Sequence, residues 1–426
     1  MLQAKSLAIL ALCGALHGET HSFTLKDAVE TALKQNPELI LSRLDEEKAR
    51  AAIQVAKDPF RPKVYSGSGL AFTSGYPNSI EGSAPSIFQA RTDMALYNRP
   101  KTYELAQTRE NARGAEIDTA SKADDVVYRI ATLFLDAQQL ARSVDSVRQE
   151  VQALDQVNES VRLRVGEGRE IPLSGKRAEL DLARARNRYE GIAADAAYAG
   201  DSLAVVLGFP AGDRVIPAND PGPKTEVPET EDACVEAALQ NSKELRRIQS
   251  QMQAKGFEIR AQKTQRYPQF DVVAQYALLA KYNYQDFFPK FQRNNGQIGV
   301  SIRIPLLVGS APAGLAAQAE ADLVKLRTQV NDVRNRMALD TRKNFQDIKR
   351  AEAGQDFAKL DLEVAREQVR VLLDQLGEGR ATRQAVDLAR LQEQEKWIAF
   401  YEAQHSVEKA KLNLLKQTGT ILTALR

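Results

Sequence analysis

Gly166-Glu167-Gly168-Arg169 recurs as Gly377-Glu378-Gly379-Arg380, an offset of 377 − 166 = 211. Gly208 and Gly419, each closing a helical run, keep the same offset. Nearer the N-terminus, Val29-Glu30-Thr31-Ala32-Leu33 resembles Val235-Glu236-Ala237-Ala238-Leu239 at 235 − 29 = 206, and the pairs Pro62/Pro268 and Leu39/Leu245 share that offset. The offsets differ by 211 − 206 = 5, so one net indel separates the two blocks of matches. Ordered self-similarity at a fixed spacing is the mark of a duplicated unit. The copies span residues 22–210 and 231–426. Residues 211–230, with Pro217, Pro221, Pro223 and Pro228, read as an extended linker.

Around each glycine pair the sequence is written for long helices. Val144, Val147, Val151, Leu154, Asn158, Val161 and Val165 alternate spacings of three and four, as do Leu323, Leu326, Val330, Val333 and Met337. An apolar seam with this period specifies helices that wind around one another. No proline falls between Pro100 and Pro172 or after Pro312. A helix of about 65 residues would extend roughly 100 Å. The Gly-Glu-Gly-Arg elements break these helices, because glycine takes turn conformations that other residues resist. Each copy is expected to run helix, two strands, long helix, glycine turn, second helix.

The strands alternate. Ile298, Val300, Ile302 and Ile304 interleave with polar residues or glycine, and Phe270, Val272, Ala274, Tyr276 and Leu278 do so with Asp271, Val273, Gln275 and Ala277. The first copy offers Ala90, Thr92, Met94 and Leu96, and a weaker Val64 to Phe72. Alternating runs of about ten residues suit one crossing of a bilayer by a tilted strand, although an ordinary half-buried sheet alternates identically. Tyr282, Tyr284, Phe287, Phe288 and Phe291 cluster beside a strand end as an interfacial belt would, and 73–87 and 281–295 read as long polar loops.

Composition narrows the class. The 426 residues are 43% hydrophobic and 27% charged, but only 6% aromatic with one Trp, which favours thin helical layers over one thick core. A net charge of +2 shows neither a nucleic-acid-binding excess nor an acidic tail. Two cysteines and three histidines exclude a disulfide scaffold and most Cys/His metal clusters. Lys5 followed by the apolar run Ser6 to Leu16 reads as an export signal within residues 1–21, with a buried N-terminal helix as the alternative. Neither a Gly-x-Ser-x-Gly elbow nor a His-Glu-x-x-His helix occurs. Ser174-Gly175-Lys176 lacks the leading glycine of a phosphate loop, with Glu170 there, and Arg177 replaces the Ser/Thr. His405 reads as a lone surface histidine. No catalytic residue, cofactor, metal or nucleic-acid partner is expected, and the chain is read as a non-enzyme.

Four strands cannot close a barrel, and an open edge in hydrocarbon leaves backbone groups unpaired at several kcal/mol each. The barrel is therefore expected to be shared. Two chains would give eight strands, whose interior fills with side chains; three give twelve, with room for a channel. A trimer is preferred.

At this point the chain resembles the TolC family of outer-membrane efflux channels. The resemblance rests on Leu25-Lys26-Asp27-Ala28-Val29 with Asn36-Pro37, on Pro62 and Pro268 before the strands, on Ile304-Pro305-Leu306 leaving a strand, and on the duplicated glycine tips. It implies a mainly α fold with a small β part: duplicated long helical hairpins forming a coiled-coil tunnel, and four strands contributing to a trimeric twelve-stranded transmembrane β-barrel. It also implies passive export from periplasm to exterior, a homotrimer in outer-membrane lipid, a periplasmic adaptor, and an inner-membrane pump. Carried onto this chain, the adaptor contacts would be Val165, Gly166 and Gly168 with Leu376, Gly377 and Gly379. Ser174, Ala385 and Leu388 stand where the family's best-known member closes its mouth with carboxylates, so Arg380, Arg383 and Asp387 are the expected constriction, against a simple solvent pair of Arg383 with Asp387. The competing reading is a periplasmic coiled-coil scaffold or adaptor without a barrel.

Overall fold

The computed structural model describes residues 19–69, 86–218, 227–279 and 292–425, excluding the side chain of Arg383. In chain order the elements are β1 (Thr20–Phe23), α1 (Leu25–Gln35), α2 (Pro37–Lys57), a 3-10 turn (Asp58–Phe60), β2 (Lys63–Gly69), β3 (Ser86–Tyr97), α3 (Arg99–Gly166) and α4 (Pro172–Leu207). They continue with β4 (Arg214–Pro217), α5 (Glu231–Asn241), α6 (Lys243–Lys263), β5 (Gln269–Leu279), β6 (Asn294–Arg303), α7 (Ala311–Gly377), α8 (Arg383–Gln417) and α9 (Ile421–Ala424). From α1 to α4 and from α5 to α8 the same order repeats. Among the described residues, no helix is long and apolar enough to cross a membrane.

The single helix expected at the start of each copy is two. Thr24 caps α1, its hydroxyl accepting from the Asp27 amide. The helix stops at Asn36, whose ψ of 126° is extended, because the ring of Pro37 disfavours a helical residue before it. Pro37 then opens α2 at the position where a missing N–H costs nothing. Asn36 is buried and ties the corner down: its side-chain amide donates to the Val206 carbonyl at 2.7 Å and its Oδ1 accepts from the Leu39 amide at 3.0 Å. The second copy breaks at Ser242, ψ 114°, without a proline to announce it.

Two compact units emerge: Met1–Leu41 with Ala120–Ser242 and Asn335–Arg426, and Ser42–Thr119 with Lys243–Arg334. Each draws on both copies, and α3 and α7 run from one into the other. The second unit holds a four-stranded antiparallel sheet in the order β2-β3-β5-β6. Ser86, Ile87, Asn294 and Asn295, expected in the loops 73–87 and 281–295, are strand residues. Of Val64 to Phe72, residues 70–72 lie outside the described residues, as do 1–18 and the aromatic cluster at 282–291.

The first unit holds the main apolar core. Leu25, Val29 and Ala32 of α1 pack with Val126, Ile130 and Phe134 of α3, Leu203 and Leu207 of α4, Val215 of β4, and Leu412, Leu415 and Ile421 from the C-terminal helices. The expected linker contains β4, which pairs in parallel with β1. Glu19 to His21, inside the segment read as an export signal, belong to this fold: His21 stacks on Phe209 at 4.5 Å. Two of the four left-handed helix ends sit here against other backbone. An added Cβ on Gly208 would stand 2.7 Å from the Gln35 carbonyl oxygen, and one on Gly419 3.3 Å from that of Asn241.

Along α3 the expected seam is inward: Val147 and Val161 are buried and Val144, Val151, Leu154, Asn158 and Val165 half-buried. In this unit α3 runs antiparallel to α8. Asp136 takes His405 Nε2 at 2.7 Å and Lys409 at 3.1 Å, Lys416 pairs with Asp125 at 2.9 Å, and Tyr128 donates to Asn413 at 2.5 Å. His405 is therefore a half-buried partner in this seam, not the lone surface residue expected. Nearby, burial pushes the Glu408 carboxyl above its usual range, partly offset by Arg142, His405 and Lys411. A raised folded pKa means the folded state holds this proton more tightly than the unfolded chain. Its contribution is thus complete at acid pH and lost as pH rises through the folded value. Glu408→Gln should then raise the melting temperature at pH 8, on the order of 1 °C, with the gain vanishing near pH 4. Scanning calorimetry across pH reads this; a gain independent of pH would reject the charge-burial account.

Candidate functional site

Two candidate surfaces follow, one in each unit. The sheet is two-faced. Its register aligns Val64, Thr92, Ala274 and Ile298 in one row, with Met94, Val272 and Val300 in the next. On the opposite face the rows are Tyr65, Arg91, Gln275, Gln297 and Lys63, Asp93, Val273, Gly299. Gln297 donates to Gln275 Oε1 at 3.1 Å on that polar face. The period of two that makes each strand also sorts its side chains onto the two faces. The apolar face is uncovered: Ile298, Val300 and Ile302 are 82%, 56% and 59% exposed. Every residue of β6 is exposed. Among the described residues, both outer strands of the sheet, β2 and β6, present an unpaired edge. A long edge with exposed apolar side chains is a template for pairing with another chain.

The hairpin tips repeat each other in the two backbone bonds that close each first helix. Gly168 has φ +72° and Gly379 φ +73°. The Gly168 amide donates to the Val165 carbonyl and that of Arg169 to Arg164; Gly379 and Arg380 do the same to Leu376 and Gln375. These are two-bond left-handed caps, which satisfy carbonyls at the end of α3 and α7. The next helices start by different means: Pro172 begins α4 after Ile171, whereas the Thr382 hydroxyl accepts from the Ala385 amide to cap α8. Arms are laced on either side of each tip, by Arg186–Asp155 at 2.9 Å in the first hairpin and Lys396–Asp361 at 2.7 Å in the second.

Among the six expected docking residues, Val165 and Leu376 are half-buried and Gly166, Gly168, Gly377 and Gly379 exposed. Val165 faces Gly175, whose added Cβ would meet its Cγ2 at 3.6 Å. In the expected constriction, Arg380 turns back to Glu378 at 3.2 Å, as Arg169 does to Glu167 at 3.1 Å. Asp387 is half-buried on the second turn of α8, and Arg383 opens that helix. The sequence reading missed Glu378 as the partner of Arg380, although Glu167 before Arg169 repeats the pattern.

No family model and no curated protein matches the chain. Solved structures do. CusC, described for conformational changes accompanying folding and transmembrane channel formation, superposes with TM-score 0.75 at 11% identity over 96% of this chain and 95% of its own. The outer membrane protein VceC of Vibrio cholerae gives 0.73 at 16% identity, covering 93% and 96%. The open state of the MtrE outer membrane channel of Neisseria gonorrhoeae gives 0.74 at 14%, covering 93% and 89%. This chain therefore has the fold of the outer-membrane channels, across nearly its whole length. In particular, it is the TolC-like fold that the paired glycine tips and alternating strands led us to expect.

Proposed function

We propose that the chain is one protomer of an outer-membrane efflux channel, a passive conduit from periplasm to exterior. Three copies set their sheets edge to edge, β6 of one against β2 of the next, into a twelve-stranded barrel. Ile298, Val300 and Ile302 then face lipid, and Arg91, Gln275 and Gln297 face the lumen. The helices form the periplasmic tunnel. Val165, Gly166, Gly168, Leu376, Gly377 and Gly379 meet a periplasmic adaptor that joins the channel to an inner-membrane pump, and Arg380, Arg383 and Asp387 narrow the periplasmic mouth. The halves 22–210 and 231–426 are a duplicated unit behind an export signal.

One observation carries this reading: a sheet with an exposed apolar face, a polar face and, among the described residues, two open edges. In water that face has no partner; in a bilayer it faces lipid once the edges close. The channel fold supports the same reading. No observation favours a barrel-less scaffold, which would leave Ile298 and its neighbours in solvent.

The protein, extracted from outer membranes in detergent, should crosslink as a trimer and conduct in planar bilayers. Asp387→Ala should change single-channel conductance or ion selectivity. A water-soluble monomer without conductance overturns the channel; unchanged conductance in Asp387→Ala removes the constriction alone.

A further inference from the structure

On the polar face of the sheet one row differs from its neighbours. Tyr65, Arg91, Gln275 and Gln297 stand side by side across β2, β3, β5 and β6, a long polar side chain from every strand. The row on the helix side sets Val273 and Gly299 beside Lys63 and Asp93, and the row on the other side sets Gly67 and Ala277 beside Gln89 and Asn295. Small residues on both flanks leave the middle row standing above the face. Arg91 carries its only charge. That side chain is exposed, and among the described residues it has no hydrogen-bond or ion-pair partner. The next acid along β3, Asp93, lies directly across from Lys63, which also pairs with Asp58. Asp271 follows one row nearer the helices, between Ala95 and Ser301, and Arg303 lies beyond it opposite Gln269. Gln297 donates to Gln275 Oε1 at 3.1 Å. That occupies an acceptor, so on either side of Arg91 the row offers donors, the Tyr65 hydroxyl and the Gln275 amide N–H groups.

Closure of the sheet multiplies this arrangement. Strands in a barrel tilt, so a row runs obliquely around the wall. Rotation about a three-fold axis nevertheless brings the three copies of Arg91 to a single depth. A ring of like charges at one depth is how pores select ions of the opposite sign, and arginine rings serve anion and phosphate pores. The guanidinium fork also matches phosphate and carboxylate oxygens two at a time. An anion with several such groups relieves the mutual repulsion of the three cations, which no acid in the same row offsets.

We propose that the three Arg91 side chains, flanked by Tyr65 and Gln275, form an anion-binding ring inside the barrel, and that solutes carrying several negative charges are the cargo class this ring favours. The proposal rests on the trimeric channel above and adds a ligand class to its lumen. Asp387, at the tunnel tips, plays no part in it.

The probe is inorganic tripolyphosphate, titrated by calorimetry into the detergent-solubilised trimer and then added to the outer side of channels in planar bilayers. The unaltered trimer should bind it and lose conductance. Arg91→Gln should bind several-fold more weakly and shift the reversal potential in a potassium chloride gradient toward cation preference. Arg91→Lys, which keeps the charge but loses the fork, should recover part of the affinity. Arg303→Gln removes a cation from the same face beside the helices and should bind as the unaltered protein does. Absence of binding by the unaltered trimer, equal binding by Arg91→Gln, or an equal loss in Arg303→Gln overturns the proposal. So does failure of Arg91→Gln to crosslink as a trimer, since Arg91 would then be holding the fold. Crosslinking and conductance of the unaltered protein separate this from failure of the channel reading. A conducting trimer indifferent to Arg91 refutes the ring alone, whereas protein that neither crosslinks as a trimer nor conducts refutes the channel.

Discussion

Ile298→Arg should abolish assembly in the membrane, while Gln297→Arg, one residue away, should be tolerated. Ile298 stands mid-strand in β6, 82% exposed, in a row with Val64, Thr92 and Ala274. An arginine facing lipid near the bilayer midplane costs about 2–4 kcal/mol. In the proposed trimer that cost recurs in each copy, so the total rivals the whole stability of a typical domain, about 5–15 kcal/mol. Gln297 points to the other face, where its bond to Gln275 is exposed. Losing that bond costs about 1 kcal/mol, and an added charge there stays hydrated in the lumen. Outer-membrane yield and the fraction of crosslinked trimer measure both variants. Equal loss in the two would mean that the faces are not sorted as proposed; no loss in Ile298→Arg would mean that lipid does not cover this face.

Much of this was legible in the sequence because the underlying signals are local. A seam such as Val144 to Val165 is repeated within one helix, and its residues turn inward whatever partner they meet. The strands were legible for the same reason, since Phe270 to Leu278 need only alternate. The glycine tips were legible twice over, because Gly168 and Gly379 occupy the same cap. What escaped was non-local. β1 and β4 are four residues each, too short for a period, and they pair across the length of one copy. The break at Ser242, ψ 114°, has no proline to announce it. His405 looked idle because Asp136, its partner, is far away in sequence. At the second tip Arg380 finds Glu378 inside the turn itself, a partner two residues away that helix spacing does not reveal.

The same distinction between local turn and distant packing sets the second large effect. Gly168, Gly379, Gly208 and Gly419 all end helices with positive φ, so sequence alone would rank them as equals. Gly208→Ala should nevertheless be far more damaging than Gly168→Ala. Both replacements force alanine into a left-handed conformation, at about 1–2 kcal/mol. At Gly168 an added Cβ meets nothing within 4 Å, so that strain is the whole cost. At Gly208 the Cβ would sit 2.7 Å from the Gln35 carbonyl oxygen and 3.2 Å from its carbon. Backbone cannot rotate away as a side chain does, and Gln35 is the last residue of α1, held beside Asn36 and its bond to Val206. Relieving the clash means shifting α1 against Leu203 and Leu207 in the core, an overpacking cost of about 1–3 kcal/mol more. Gly208→Ala should therefore lower the denaturation midpoint by roughly twice as much as Gly168→Ala, and the double variant Gly208→Ala with Gly419→Ala should fail to accumulate. Urea titration followed by circular dichroism makes the comparison. Equal midpoints for Gly208→Ala and Gly168→Ala would show that the close approach of α1 to the end of α4 contributes nothing beyond the turn.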